Sequence, residues 1–140
     1  MRVFVDTNVF VYLFDRDAPE KSRIAQDIVQ RQQRDLELVV STQVLQEFYV
    51  AVTRKLARPV ATDVAERAVR DLSRLSVVAA TTDLVMDAIS LTRHESFSFW
   101  DAMIVEAAHR AGAEQLLSED MQDGRVLGEL VIRNPFTADN

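Results

Sequence analysis

Short apolar runs alternate along the chain with longer segments whose apolar residues recur every three or four positions. A run of four or five apolar residues between turn residues indicates a buried strand, whereas recurrence near 3.6 residues indicates an amphipathic helix. The pattern predicts four strands, over residues 2–5, 36–40, 76–80 and 114–117. A fifth strand, preceded by a short turn, is predicted within residues 126–132.

Helical segments lie between these strands, and several begin or end at recognisable capping residues. Pro19 is placed to open one helix, Ser41 and Thr42 to cap the next, and Ser98 to cap a late helix that Gly112 ends. The apolar segment 9–14 and the Phe48–Tyr49 pair suit either a core or a partner surface. The predicted helices cover residues 9–14, 20–34, 42 to about 56, 62–75, 82–91 and 99–111.

Alternation of strand and helix is typical of an α/β fold with a mostly parallel sheet. Glycine and proline are scarce, at 3 residues each, and no shift in composition marks a linker. We therefore predict a single domain over residues 1–140. In open parallel sheets, ligands bind beyond the carboxyl ends of the strands. Polar residues at those ends are the first candidates for a functional site.

Composition narrows the classes of function. The 48% hydrophobic content suits a globular domain, and no apolar run approaches the roughly 18 residues of a membrane span. We expect a cytoplasmic protein with no signal peptide and no membrane partner. The absence of cysteine excludes disulfides and thiolate metal ligands. A net charge of −6 argues against simple electrostatic binding of nucleic acid, although all cations except Lys21 and Lys55 are arginines, which suit phosphate pairing.

Four acidic residues occupy positions where chemistry is plausible. Asp6 follows the first strand and Asp120 follows the fourth, and either alone could be an ordinary helix cap. Asp101 also falls where it could support a helix start, yet it lies in an apolar stretch where an unpaired carboxylate is costly. Glu47 lies at the margin of an apolar helix face and, taken alone, resembles a solvated surface residue.

Considered together, the four carboxylates predict a metal site. A parallel sheet brings the ends of its strands and the starts of the following helices to one edge, where these acids would raise one another's pKa. A hard divalent cation such as Mg²⁺ or Mn²⁺ removes that repulsion and prefers oxygen ligands. Such ions promote hydrolysis of phosphodiesters, and they bridge an acidic protein to an anionic substrate.

Other hydrolytic and phosphotransfer designs fit less well. His94 and His109 are the only histidines, and their positions do not suit a paired acid–base mechanism. The sequence has no glycine-rich phosphate loop and no nucleophile elbow. A receiver domain needs a lysine after a late strand, but none follows Lys55. A phosphatase with an aspartyl nucleophile typically has a second aspartate two residues after the first, where this chain has Asn8.

Four sequence blocks resemble the PIN-domain nucleases, and especially the VapC toxins of prokaryotic toxin–antitoxin pairs. They lie in the expected order across nearly the whole chain, which makes the resemblance far more specific than any one block. The blocks are Val5-Asp6-Thr7-Asn8-Val9, Gln46-Glu47-Phe48, Phe99-Trp100-Asp101-Ala102 and Leu117-Ser118-Glu119-Asp120-Met121-Gln122-Asp123-Gly124.

The resemblance implies a five-stranded parallel sheet flanked by helices and an endoribonuclease that depends on Mg²⁺ or Mn²⁺. It also implies an RNA substrate, a VapB-like antitoxin and a homodimer. A PIN-like module that only binds RNA or protein is the alternative.

The same resemblance assigns roles to individual residues. Asn8 and Ser118 would orient carboxylates, water or substrate. Asp123 would supplement or replace Asp120 as a metal ligand. The acidic site itself, both catalytic and metal-binding, would consist of Asp6, Glu47, Asp101 and Asp120.

Overall fold

The computed structural model describes residues 1–137, which form one α/β unit around a six-stranded sheet. The strand order is β3-β2-β1-β4-β6-β5, and every neighbouring pair is parallel except β5 with β6. The strands are β1 (Arg2–Val5), β2 (Glu37–Ser41), β3 (Ser76–Val78), β4 (Gln115–Leu117), β5 (Val126–Leu127) and β6 (Leu130–Arg133).

Helices lie between β1 and β2, between β2 and β3, and between β3 and β4, as the crossovers of a parallel sheet require, whereas none lies between β4 and β6. The first is followed by a 3₁₀ turn at Tyr12–Phe14, and the third continues into a π-helical segment at Ala51–Lys55. The α-helices are α1 (Thr7–Val11), α2 (Pro19–Gln30), α3 (Thr42–Val50), α4 (Thr62–Leu72), α5 (Thr82–His94) and α6 (Phe99–Arg110).

The centre of the sheet is almost wholly apolar. Strands β1 and β2 lie side by side with buried runs of branched and aromatic residues, and α6 packs its buried face against β2 and β4. The apolar segment 9–14 and the Phe48–Tyr49 pair suited either a core or a partner surface. Phe10 and Phe48 are fully buried in the core, whereas Tyr49 is exposed. This rigid centre fixes where the strands end, and therefore where the polar residues after them lie.

The register of β1 and β4 brings two of those polar ends together. Val5 pairs with Leu117, and the backbone N–H of Asp6 donates to the carbonyl of Leu117 at 2.9 Å. Asp6 and Ser118 are therefore neighbours at the carboxyl edge of the sheet, although 112 positions separate them.

The predicted fold class is confirmed, and the differences concern element boundaries. The helix predicted over 20–34 ends at Gln30. The backbone leaves helical geometry at Gln33, which has a positive φ of 65° and whose N–H donates to the carbonyl of Leu36, three residues later. The helix predicted to residue 56 changes to π geometry after Val50. The helix predicted over 62–75 ends at Leu72, and the one predicted over 82–91 extends to His94.

The last predicted strand is two strands. Gly128 has a φ of +64°, a conformation that residues with a Cβ rarely adopt, and it reverses the chain between β5 and β6. This hairpin supplies the antiparallel sixth strand that the sequence pattern did not separate. The third strand is also shorter than predicted and ends at Val78, because Ala80 N–H bonds the Thr42 hydroxyl instead of a ladder partner.

Within residues 1–137, no helix combines the length and the apolar character needed to span a bilayer.

Candidate active site

Asp6 stands where β1 becomes α1, and its carboxylate is nearly buried, with 7% of its surface exposed. Its backbone is extended, and Oδ1 accepts a hydrogen bond from the N–H of Thr7 at 2.8 Å, so the helix-cap interpretation is correct as far as it goes. Oδ2 accepts a second bond from the Ser118 hydroxyl at 2.8 Å. A cap needs only one of these oxygens, and the other accepts from a side chain that directly follows β4.

Asn8 ties the ends of the two strands together. Its amide nitrogen lies 3.4 Å from Asp6 Oδ2 and 3.1 Å from Asp120 Oδ2, and donates to both carboxylates. Its amide oxygen accepts from the backbone N–H of Glu119 at 3.1 Å. The Ser118 hydroxyl also accepts from the N–H of Asp120, at 3.3 Å. Asn8 and Ser118 thus fix the mutual position of Asp6 and Asp120.

Asp101 and Glu47 come from the first turn of α6 and the middle of α3. Ser98 caps α6 by accepting from the N–H of Asp101 at 3.1 Å, which fixes that turn. A buried amide, that of Gln43, connects the two helices. Its nitrogen donates to Glu47 Oε1 at 2.6 Å and to the carbonyl of Trp100 at 3.2 Å.

Burial and neighbouring charges both act on the carboxyl groups of Asp6 and Asp101. Burial raises the pKa of Asp6 to about 6, against the opposing effect of the Ser118 and Thr7 hydrogen bonds. The negative charges of Glu47 and Asp101 raise it further. Burial also raises the pKa of Asp101, with the charge of Asp120 second, while the Ser98 hydrogen bond lowers it. The shifts at Asp6 and Asp101 thus have burial as their first cause and the charges of the neighbouring carboxylates as an addition.

An open cleft of about 770 Å³ contains all four carboxylates together with Asn8. Asp123 is not among the residues that line it, and its carboxylate instead accepts from the backbone N–H of Asn134 at 2.9 Å. A larger cavity of about 1000 Å³ lies against α2 and the end of β6, but it includes none of the predicted site residues. We therefore place the candidate site in the acidic cleft.

Several cleft residues were not identified from the sequence. Gln43 stands four positions before Glu47 on one helix, a spacing at which side chains meet, so its role was open to inference. Glu119 is held outside the acidic group: its carboxylate accepts from Tyr12 and Lys21, both at 2.5 Å. That contact joins residues 98 to 107 positions apart, and no local pattern indicates it.

The donor set suits a hard divalent ion, since it consists of carboxylate oxygens with amide and hydroxyl groups around them. Within residues 1–137, however, no three acidic or histidine side chains are already arranged to hold a metal ion directly. Mg²⁺ commonly keeps several waters and takes only one or two carboxylates from a protein. The residues present therefore fit an ion bound partly through water.

The model of the PIN domain family matches residues 3–123, and the chain belongs to this family. The comparison with curated proteins gave no match.

Among solved structures, the chain is similar to one in a toxin–antitoxin complex from Klebsiella pneumoniae, with a TM-score of 0.69, 18% identity, and coverage of 96% of this chain and 98% of that one. VapC20 of Mycobacterium tuberculosis, a sarcin-ricin loop cleaving toxin, gives a TM-score of 0.62 at 22% identity, with 81% and 86% covered. A chain of VapBC2 from Rickettsia felis, solved bound to a promoter DNA fragment, gives 0.64 at 16% identity, with 96% and 98% covered. At these identities the similarity concerns the fold.

Proposed function

We propose that this chain is an endoribonuclease that depends on Mg²⁺ or Mn²⁺ and acts as the toxin of a toxin–antitoxin pair. The observation that carries the proposal is the convergence of four carboxylates in one cleft at the carboxyl ends of β1 and β4. In this proposal Asp6 and Asp101 bind the metal directly, and Glu47 and Asp120 bind it through water.

The metal would hold the phosphodiester, lower the pKa of the attacking water and stabilise the leaving oxygen. The protein supplies the geometry. Asn8 and Ser118 hold the carboxylates of Asp6 and Asp120 by direct hydrogen bonds. Glu47 and Asp120 are exposed, so either is placed to take a proton from the water that attacks phosphorus in line.

The toxin assignment is supported by the solved structures whose fold is similar to that of this chain. All three structures described above are toxins or toxin–antitoxin complexes, and two of them match nearly their whole length to this chain. We propose a VapB-like antitoxin as the partner and a homodimer as the assembly. Asp123 stays a secondary candidate ligand in this scheme because its carboxylate is occupied by the backbone of Asn134.

Metal removal and two matched variants test the nuclease. Purified protein should cleave a mixed RNA substrate in Mg²⁺ or Mn²⁺, lose that activity in excess EDTA, and recover it when the metal is restored. Asp6→Asn and Asp101→Asn should each reduce the rate by at least about a hundredfold, with circular dichroism unchanged, because asparagine is also a good capping residue at position 6.

Two results would count against the proposal. Wild-type rates in either variant would show that the acidic cleft is not the site of hydrolysis. Tight RNA binding without cleavage in any divalent ion would instead support a catalytically silent PIN-like binding module.

A further inference from the structure

Trp100 is the single tryptophan of the chain, and it is conspicuously exposed. It lies in the first turn of α6 with 64% of its surface accessible, and it lines the acidic cleft. An indole ring left in water gives up the stabilisation that burial would bring. The residue that follows it is Asp101, whose Cα is about 3.8 Å away along the chain. The exposed ring therefore stands immediately beside the proposed chemistry.

The position of Trp100 is fixed by two contacts. Its carbonyl accepts from Gln43, the same buried amide that holds Glu47, and its ring meets Phe99 at 5.1 Å with the planes inclined by 72°. Any ligand that meets the ring is therefore positioned relative to Glu47 and Asp101. Because the ring is still mostly exposed after these contacts, it can accept a planar partner.

A cation lines the same cleft. Lys55 ends the π-helical segment after α3, is exposed, and forms no ion pair within residues 1–137. It is one of only two lysines, and the other, Lys21, is paired with Glu119. A free ammonium group beside carboxylates suits the phosphate backbone of a nucleic acid, whose charge the acids alone would repel.

We propose that Trp100 stacks on an unpaired base next to the scissile phosphate and that Lys55 contacts a neighbouring phosphate. This inference rests on the proposed nuclease function and names two residues that would hold its substrate: the base is an unpaired one, since a base inside a duplex is already stacked and offers no free face. Stacking on an aromatic ring is tolerant of base identity. The pair Trp100 and Lys55 thus selects for unpaired structure more than for sequence.

The indole also provides a direct measurement, because all tryptophan fluorescence of the chain comes from this one residue. Asp6→Asn protein in Mg²⁺ is titrated with a labelled 12-nucleotide single strand, while emission and label anisotropy are followed together. We expect emission to be quenched as anisotropy rises, and a duplex of the same sequence to give little of either. Binding without any change in emission would overturn the stacking proposal, and so would the absence of binding, whereas the proposed nuclease function is judged separately by the assay of wild-type protein in Mg²⁺ and EDTA.

Kinetics of otherwise wild-type protein separate stacking from a structural role. Trp100→Ala should raise KM for single-stranded RNA about tenfold with kcat little changed, and Trp100→Phe should recover most of that loss. Lys55→Gln should raise KM and flatten its dependence on salt. Met86→Ala is the matched control: Met86 is an apolar residue of α5 that is 58% exposed and does not line the cleft, so its KM should match wild type.

One outcome would give the ring another role. If Trp100→Ala cleaves RNA with unchanged KM but escapes inhibition by the co-expressed antitoxin, the exposed indole is a protein contact and the base-stacking proposal is wrong.

Discussion

Asp120 and Asp123 are three positions apart, and the structure separates their surroundings. The Asp120 carboxylate accepts a hydrogen bond from the Asn8 amide, and its backbone N–H donates to the Ser118 hydroxyl, so Asp120 belongs to the network around Asp6. Asp123 accepts from the backbone of Asn134 and lies outside the acidic cleft. Residue type and spacing alone gave no reason to prefer either, because the difference arises from β6, which follows both in sequence.

We expect Asp120→Asn and Asp123→Asn to have different effects on the cleavage rate. Asp120→Asn should lower the cleavage rate at least about tenfold, since it removes a negative charge from the proposed metal site. Asp123→Asn should keep most of the activity, because an asparagine oxygen still accepts from the N–H of Asn134. Initial rates at saturating Mg²⁺ measure both, and a larger loss in Asp123→Asn would reverse the assignment of the fourth acid.

The raised pKa of Asp6 makes the metal-free protein sensitive to pH. Well below pH 3.8, the pKa of the Asp6 carboxyl in the unfolded chain, this carboxyl is protonated in both the folded and the unfolded protein, and it does not lower the free energy of unfolding. As pH rises towards the folded pKa of about 6, the unfolded chain ionises first, so the folded state loses stability, on the order of 3 kcal/mol in all. Asp101 adds to the loss in the same direction.

Thermal unfolding in EDTA measures this effect. The Tm of wild type should fall relative to that of Asp6→Asn between about pH 4 and pH 6, and the difference should level off above that range. Addition of Mg²⁺ at pH 7.5 should raise the wild-type Tm more than that of the variant. A constant difference in Tm across this range would show that Asp6 has an ordinary pKa.

Much of the site was accessible from residue types and topology. Asp6 and Asp120 follow strands, and once those strands are predicted to be parallel neighbours, their carboxylates must share an edge. Trp100 and Lys55, to which we assign proposed roles, were not candidates from the sequence, because exposure is a property of the folded surface. The Glu119 contacts with Tyr12 and Lys21 depend on the exact approach of distant segments, and no local pattern encodes them.

At the scale of elements, the predictions succeeded where periodicity dominates. Long amphipathic segments such as α2 and α6 were recognised because their apolar stripes must face a core. The boundaries failed where a backbone preference or a tertiary hydrogen bond decides, as at Gln33 and Gly128. The π-helical segment at Ala51–Lys55 is such a case, and it brings Lys55 to the cleft.

The start of α6 combines stability with positioning, and this combination can be tested. Ser98→Ala removes the hydroxyl that accepts from the N–H of Asp101, which should cost about 1 kcal/mol of unfolding free energy. It should also reduce cleavage several-fold, because Asp101 is then less well positioned. Ser98→Asp, another good cap, should restore stability. Urea unfolding with parallel rate measurements distinguishes the effects, and normal stability in Ser98→Ala would show that the cap is dispensable.

The protein is acidic, with a net charge of −6, yet its proposed substrate, RNA, is also an anion. Its −6 includes the carboxylates of the cleft, so a bound divalent cation would reverse the local repulsion of RNA without any basic patch. If cleavage depends on such a cation as proposed, net charge alone is a poor guide to the substrate. In this proposal the protein outside the cleft needs no net attraction for RNA, because the metal, Lys55 and the base stacked on Trp100 would supply local contacts.

Growth of an expressing host tests the complete proposal, since a nuclease that acts on cellular RNA harms the cell only if it is active and unrestrained. Induction of the wild-type chain alone should arrest growth, and co-expression of its cognate antitoxin should restore growth and co-purify with the chain. Asp101→Asn at equal soluble level is the control: it should permit growth and still bind the antitoxin, because asparagine removes the charge while keeping the shape of the side chain and an oxygen that accepts hydrogen bonds. Normal growth with abundant soluble wild-type protein would contradict the toxin assignment while leaving cleavage in vitro to be judged by the metal-dependence assay.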